Sequence, residues 1–166
     1  MKKLKIFIII LSLSATAAKA QFTKAELQIS GLTCALCAKS TEKALRALPF
    51  VGEVKTDLIR NTYLITFKEN VPVNFEQISK KVQASGFSVN SLKATYNFDN
   101  TKVADNNFSY GGDTYKLLNP ANKPTSGAIN VTVVDQGFAP KSVSKKYLGQ
   151  VTDAAPATGR VYHLAI

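Results

Sequence analysis

An alternation of strand-like and helix-like periodicity in the first half of this 166-residue chain constrains its fold most strongly. Residues 26–30 alternate polar and apolar side chains, which is typical of a half-buried strand. Residues 34–48 are rich in Ala, Leu, Lys and Glu, and their apolar positions recur every three or four residues, as on one face of a helix. Two further strand patterns, at 54–58 and 63–67, precede a second helix pattern and a strand pattern at 87–92.

The resulting order, βαββαβ, is the split βαβ arrangement of ferredoxin-like folds. It predicts a four-stranded antiparallel sheet with two helices on one face. Pro49 ends the first helix pattern, Asn74 is the predicted N-cap of the second, and Gly86 suits the position that follows a helix C-terminus. We therefore predict an α+β protein whose residues 21–95 form a ferredoxin-like βαββαβ sandwich.

Residues 1–20 have the layout of a secretory signal peptide. Three lysines within the first five residues precede an apolar stretch, and Ala18-Lys19-Ala20 is a small-residue cleavage pattern. The apolar stretch is short for a membrane span of about 20 residues. We expect cleavage before Gln21, no transmembrane segment in the mature chain, and a periplasmic or secreted location, where disulfides can persist.

The second half of the chain has a different character. Asn, Asp, Gly and Pro are frequent there, helical periodicity is weak, and turn signals separate short strand patterns. The predicted strands are 114–118, 128–134, 142–148 and 160–166. Short strands separated by turns in this way predict a small all-β module over residues 108–166. The polar stretch 96–107 is the predicted linker region between this module and the first domain.

The charge balance is strongly basic, with 21 Lys+Arg against 11 Asp+Glu and a formal net charge of +10. Removal of the predicted signal peptide takes four lysines away, and charge alone indicates solubility and association and does not indicate a specific partner. We therefore predict no nucleic-acid partner. The sequence also shows no paired carboxylates, Ser/His/Asp set or phosphate-cradling loop, so we predict that the chain is not an enzyme.

The stretch Gly31-Leu32-Thr33-Cys34-Ala35-Leu36-Cys37 carries the clearest chemistry. Its two cysteines, Cys34 and Cys37, are three residues apart at a predicted strand-to-helix junction. Free N–H groups and the partial positive charge of a helix N-terminus favour thiolates, so at least one cysteine pKa should be lowered. Two converging thiolates prefer soft ions, Cu(I) first. An open two-ligand site suits near-linear Cu(I) or Hg(II), whereas structural Zn(II) takes four ligands.

This stretch and its βαββαβ context resemble the heavy-metal-associated domain family, which includes copper chaperones, the soluble N-terminal domains of metal-transporting P-type ATPases and the periplasmic mercuric-ion-binding protein. The family pattern is Gly-Met-Thr-Cys-x-x-Cys, and Leu32 replaces the Met here. Ser85-Gly86-Phe87 resembles the small-Gly-aromatic loop that lies near the metal loop in the family. The resemblance covers about residues 24–92 and does not extend to residues 96–166.

The resemblance implies a soft-metal-binding protein with Cys34 and Cys37 as its ligands. Cu(I) is the expected metal, with Hg(II) and Zn(II) as alternatives. Combined with the signal peptide, it predicts metal binding or delivery outside the cytoplasm, by ligand exchange with a donor or acceptor protein that has its own thiol site. Three residues are predicted to support the metal loop: Thr33 within it, Lys39 through its positive charge, and Phe87 by shielding the metal.

Other readings of the same residues stay open. The cysteine pair would form a structural or relict disulfide in a non-metal adaptor that binds a partner. It would alternatively act in thiol–disulfide exchange, although no Trp-Cys-Gly-Pro-Cys site is present. His163 is a weak third ligand, since it is the single His and has no soft neighbour in the sequence. Four tyrosines of the second half would form either an aromatic binding surface or strand core: Tyr110, Tyr115, Tyr147 and Tyr162.

Overall fold

A computed structural model of the chain describes residues 21–119, 126–149, 151 and 159–166, so the predicted signal peptide lies outside the described residues. The strands of the described part are β1 (Gln21–Ser30), β2 (Val51–Asp57), β3 (Thr62–Phe67), β4 (Ser88–Asn97), β5 (Asn107–Tyr110), β6 (Asp113–Leu118), β7 (Ala128–Val133) and β8 (Val161–Ala165). The helices are α1 (Ala35–Arg46), α2 (Phe75–Ala84) and α3 (Lys141–Leu148). Across these ranges, no helix is long and apolar enough to cross a membrane.

The first four strands form the predicted ferredoxin-like sheet, in the order β2-β3-β1-β4 with antiparallel pairing throughout. Strand β1 shows why the sequence folds this way, because Ala25, Leu27 and Ile29 all point to the buried side. Helix α1 packs against β2 and α2, and α2 packs against β4. The α+β expectation for the N-terminal half is therefore met.

Local signals set both helix starts. Asn74 is the N-cap of α2, as predicted, and its side-chain oxygen accepts a hydrogen bond from the Gln77 backbone N–H at 2.9 Å. Helix α1 begins one residue after Cys34, which is its N-cap. Helix α1 ends at Arg46, three residues before Pro49, and the chain enters β2 at Val51. The cysteine pair therefore lies at the N-terminal end of a helix that packs on the sheet.

The second half continues the same sheet. Strand β7 pairs antiparallel with β4, and the order beyond it is β7-β8-β6-β5, with β6 and β8 parallel. Strand β4 is longer than the predicted 87–92 and ends inside the predicted linker region 96–107. Tyr96 and Phe98 of that region alternate with polar residues, and the rings of both are buried in the core. The division of the chain into two domains remains a prediction.

The sheet curls around an aromatic core. In the strand order, β5 is five steps from β1, which is about 24 Å in a flat sheet. Nevertheless the rings of Phe22 on β1 and Tyr110 on β5 have centroids only 5.2 Å apart. Phe75 of α2 fills the concave side, 6.0 Å from Tyr162 on β8. Aromatic side chains from both halves thus share one hydrophobic core.

The structure corrects the strand predicted over 142–148, which is helix α3. The alternation of Ser142, Val143 and Ser144 imitates a strand, but the backbone N–H groups of Val143 and Ser144 both donate to the Pro140 carbonyl and close a helical turn. The module 108–166 is therefore not all-β. Strand β5, which the sequence did not indicate, is a second correction. Of the four tyrosines, Tyr115 and Tyr162 are core residues.

Candidate metal centre

The loop after β1 is held against the loop before β4. Ser30 lies opposite Ser88 in the sheet, which brings the two loops side by side. Gly31 has a φ of +87°, and a Cβ built on it would lie 3.6 Å from the ring of Phe87. Glycine is favoured at this position because it adopts the left-handed conformation readily. The structure therefore brings the predicted residue Phe87 to the predicted metal loop.

Leu32 anchors this loop from below. Leu32 is buried in the hydrophobic core, so its side chain points away from solvent. Leu32, which stands where the family pattern has Met, therefore serves as an apolar anchor of the loop. The loop thus combines an exposed part, which includes Thr33, with a buried anchor.

The two cysteines lie at the start of α1 as free thiols. Cys34 has an extended backbone, with φ −131° and ψ 129°, and its Sγ accepts a hydrogen bond from the Cys37 backbone N–H at 3.4 Å. Cys34 is exposed, whereas Cys37 is half-buried and packs against the core. This geometry places both sulfurs at one end of one helix, with one of them open to an incoming partner.

The same contacts separate the acidities of the two thiols. Hydrogen bonding from the Cys37 backbone N–H lowers the pKa of Cys34, and bonding from the Cys37 thiol adds to that effect. The pKa of Cys37 is raised, first because its thiol donates to Cys34 and then because burial disfavours its charged form. Cys34 is therefore the first thiolate to form as the pH rises.

Two buried side chains that sequence reasoning did not single out hold the first turns of α1. The Thr41 hydroxyl donates to the Cys37 carbonyl at 3.0 Å, and the Tyr63 hydroxyl donates from β3 to the Ala38 carbonyl at 3.1 Å. Burial raises the pKa of Tyr63, so its hydroxyl remains a donor at neutral pH. In the sequence, Thr41 and Tyr63 stand out only as side chains with a hydroxyl group at positions that face the core. Such a hydroxyl group does not by itself indicate which carbonyl it bonds.

The remaining predicted residues are placed differently. Thr33 precedes Cys34 and is exposed, and Lys39 is exposed on α1. His163 is buried on β8, where its Nδ1 lies 2.8 Å from an Asp135 carboxylate oxygen and its backbone N–H donates to the other oxygen at 2.7 Å. Within the described ranges, no three or more His, Cys, Asp or Glu side chains form a group that could hold a metal. The structure therefore does not bring His163 to the cysteine pair.

Known proteins are similar to this chain, and the family match covers less than half of it. Residues 26–88 match the family described as the heavy-metal-associated domain. A copper-exporting P-type ATPase of Bacillus subtilis (strain 168) is 26% identical over 127 residues, which is 76% of this chain and 16% of that protein. A probable copper-exporting P-type ATPase of Archaeoglobus fulgidus is 34% identical over 74 residues, which is 45% of this chain and 9% of that protein. The chain thus spans only a small part of the length of these relatives.

Solved structures were also matched. The yeast copper transporter domain Ccc2a, determined in solution in its apo and Cu(I) states, is 25% identical and has a TM-score of 0.36, covering 40% of this chain and 90% of that domain. The N-terminal domain of ZntA in its apo form is 25% identical with a TM-score of 0.36, covering 42% of this chain and 90% of that domain.

Proposed function

We propose that this chain, whose residues 26–88 are a heavy-metal-associated domain, binds Cu(I) between Cys34 and Cys37 and passes it to or from a partner protein. The observation that carries the proposal is the pair of free thiols at the N-terminus of α1, inside the matched segment. The donor set suits a soft monovalent ion, because it offers two sulfurs and no gathered carboxylates or imidazoles in the described part of the chain.

The relatives support copper as the metal. The curated proteins that match this segment are described as copper-exporting or copper-transporting ATPases. Two thiolates leave the coordination of the ion incomplete, which Cu(I) tolerates and a structural Zn(II) site does not. Hg(II) shares this preference for two thiolates, so it is the competing soft ion.

Delivery would proceed by ligand exchange. A thiolate of the partner forms a new Cu–S bond, one of the two bonds to this chain then breaks, and a second exchange completes the transfer. Copper remains Cu(I) throughout, so no electron donor or acceptor is required. Each thiol that binds copper releases its proton to solvent, and each thiolate left behind recovers one. Cys34 is exposed and is the sulfur that a partner reaches first.

Stoichiometric titration tests the binding. Reduced protein handled without oxygen should bind about one Cu(I) per chain in competition with a chromophoric Cu(I) chelator. The double variant Cys34→Ser/Cys37→Ser should lose this binding while keeping the circular dichroism spectrum of the parent. Retention of one tightly bound Cu(I) in the double variant would exclude the cysteine pair as the site. Added Zn(II) should not displace Cu(I), and Hg(II) should.

We also propose that the protein acts outside the cytoplasm. Support comes from residues 1–20, with basic residues, a short apolar stretch and an Ala-x-Ala pattern in that order. The intact mass of the protein isolated from its native cells should correspond to a chain that begins at Gln21. A mass that includes residues 1–20, in protein found in the cytosolic fraction, would contradict this location.

A further inference from the structure

Large apolar side chains that remain exposed are concentrated near the thiols. Four are present in the described residues: Leu36 is 79% exposed, Leu58 54%, Ile59 96% and Leu64 44%. Single exposed leucines are ordinary on protein surfaces, so their distribution is the informative point. Leu36 lies in the first turn of α1, between the two cysteines, and Leu58 and Ile59 are adjacent in the turn between β2 and β3.

The strand pairing places that turn at the thiol end of the sheet. Strand β3 begins at Thr62, which lies opposite Gln28, close to the point where β1 runs into the metal loop. The Ile29 backbone N–H donates to the Asn61 carbonyl at 3.1 Å, so the end of the β2–β3 turn is bonded to the end of β1. Leu58 and Ile59, here called the apolar tip, therefore share one end of the molecule with Leu36.

The apolar tip is held firmly and carries no unbalanced charge of its own. One carboxylate oxygen of Asp57 accepts hydrogen bonds from the backbone N–H groups of Ile59 at 3.0 Å and Arg60 at 3.1 Å. The other oxygen pairs with the Arg60 guanidinium at 2.8 Å. The turn thus presents a leucine and an isoleucine outward while its one cation and one anion neutralise each other.

The surroundings of the tip favour an anionic surface. The carboxylate of Glu42 on α1 is occupied by Arg46 and Thr56, whereas Lys39 and Lys43 of the same helix are exposed. Residues 21–166, the chain that remains after removal of the predicted signal peptide, carry 17 Lys+Arg against 11 Asp+Glu, a formal net charge of +6. Interfacial binding to a bilayer grows with the apolar area that enters it and with attraction of basic residues to anionic lipids.

We infer that the apolar tip inserts into the interface of a bilayer containing anionic phospholipid and so holds the thiol end of the protein at a membrane surface. Ile59 is almost fully exposed and Leu58 is more than half exposed. A small pair of exposed apolar side chains suits a fluid interface better than it suits a pocket in a second protein. Only the biological role of membrane binding rests on the proposed function, because membrane binding would keep Cu(I) exchange next to the membrane. The insertion itself requires neither the thiols nor copper.

The absence of tryptophan from the chain makes a direct test available. The variant Ile59→Trp carries a single tryptophan at the tip, and Leu64→Trp carries one at an exposed leucine on the sheet face. Vesicles of phosphatidylglycerol and phosphatidylethanolamine should shift the emission of Ile59→Trp to the blue and make it accessible to brominated lipid. Leu64→Trp should change little. Equal responses of the two variants, or none from Ile59→Trp, would overturn the inference.

Vesicle co-sedimentation of tryptophan-free protein supplies the matching affinity measurement. Ile59→Asp should reduce the partition constant roughly tenfold, since an isoleucine side chain that enters the bilayer interface contributes about one tenfold step in affinity. Leu64→Asp should leave the partition constant close to that of the parent. The double variant Cys34→Ser/Cys37→Ser should sediment with vesicles as the parent does, so failure of copper binding and failure of membrane binding are separate results. A blue shift without vesicles that grows with protein concentration would instead show that a second copy covers the tip, and would contradict the inference.

Discussion

At the scale of single residues, the two cysteines differ in both exposure and acidity. Cys34 is exposed and its pKa is lowered, chiefly by the Cys37 backbone N–H, whereas Cys37 is half-buried and its pKa is raised, chiefly by its hydrogen bond to Cys34. Because the charged form of a thiol is its reactive form, the pair has one leading nucleophile and one thiol that follows it.

Thiol alkylation as a function of pH checks this difference. In the reduced protein, Cys34 should react with iodoacetamide before Cys37, with a pH midpoint below that of an ordinary thiol, and Cys37 should have a midpoint above it. Cys34→Ser should lower the midpoint of Cys37, because its raised pKa depends on Cys34. Cys37→Ser should leave the midpoint of Cys34 partly lowered, because the backbone donor is retained. Identical midpoints in the parent protein would contradict the assignment.

The site also depends on Gly31, in the loop that precedes the cysteines. Gly31→Ala forces an L side chain into left-handed backbone beside Phe87, and should cost about 1–2 kcal/mol of unfolding free energy and weaken Cu(I) binding. Gly112→Ala is the matched control, because its φ is +92° but no atom lies within 4 Å of the added Cβ. Urea unfolding should show similar losses for both variants, with only Gly31→Ala changing Cu(I) affinity. Equal Cu(I) affinities would show that the contact between the two loops does not shape the site.

At the scale of elements, helix α1 carries the thiols and the sheet fixes its first turns. Tyr63→Phe removes the hydrogen bond from β3 to the Ala38 carbonyl and should cost about 0.5–1.5 kcal/mol. It should also speed alkylation of Cys37, because that end of α1 opens more easily. Tyr115→Phe is the control, since the buried Tyr115 hydroxyl has no hydrogen-bond partner among the residues that the structure describes, and its loss should be neutral or stabilising. A Tyr63→Phe protein as stable as Tyr115→Phe would rule out this anchoring role.

The elements of the first half follow from local sequence, and those of the second half do so only in part. Strand β1 alternates buried and exposed residues, and both early helices have a buried apolar face. Asn74 caps α2, and Pro49 follows the end of α1, so propensity and burial agree in these elements. Helix α3 was missed because a Ser-Val-Ser alternation has strand periodicity over three residues, too short to separate the two patterns. The anchoring role of Tyr63 depends on which strand lies under α1, which is a tertiary fact that no local pattern contains.

At the scale of the whole molecule, the shared aromatic core links the thiol end to the C-terminal half. Phe22 on β1 and Phe75 on α2 come from the first half of the chain, and Tyr110, Tyr115 and Tyr162 come from the second half. The ring centroids of the pairs that join the two halves are 5.2–6.3 Å apart. The Glu76 carboxylate on α2 also pairs with the Arg160 guanidinium, and the Ser79 hydroxyl donates to the Gly137 carbonyl at 3.0 Å. We therefore expect the two halves to unfold together.

Cooperative unfolding distinguishes this account from two independent domains. Circular dichroism and protection of Cys37 from alkylation should report the same urea midpoint. Tyr162→Ala, in β8, should lower the unfolding free energy seen by both probes by about 3–5 kcal/mol, as for other large aromatic deletions in cores. Two separate transitions, with Cys37 protection unaffected by Tyr162→Ala, would show that the halves fold independently.

X-ray absorption at the copper K-edge of the one-to-one Cu(I) complex tests the central claim most directly, because it counts the atoms bound to the metal. The account predicts two sulfur neighbours, supplied by Cys34 and Cys37, with no imidazole scattering and an unchanged spectrum in the variant His163→Gln. A spectrum dominated by nitrogen or oxygen neighbours, or one that changes with His163→Gln, would contradict the account.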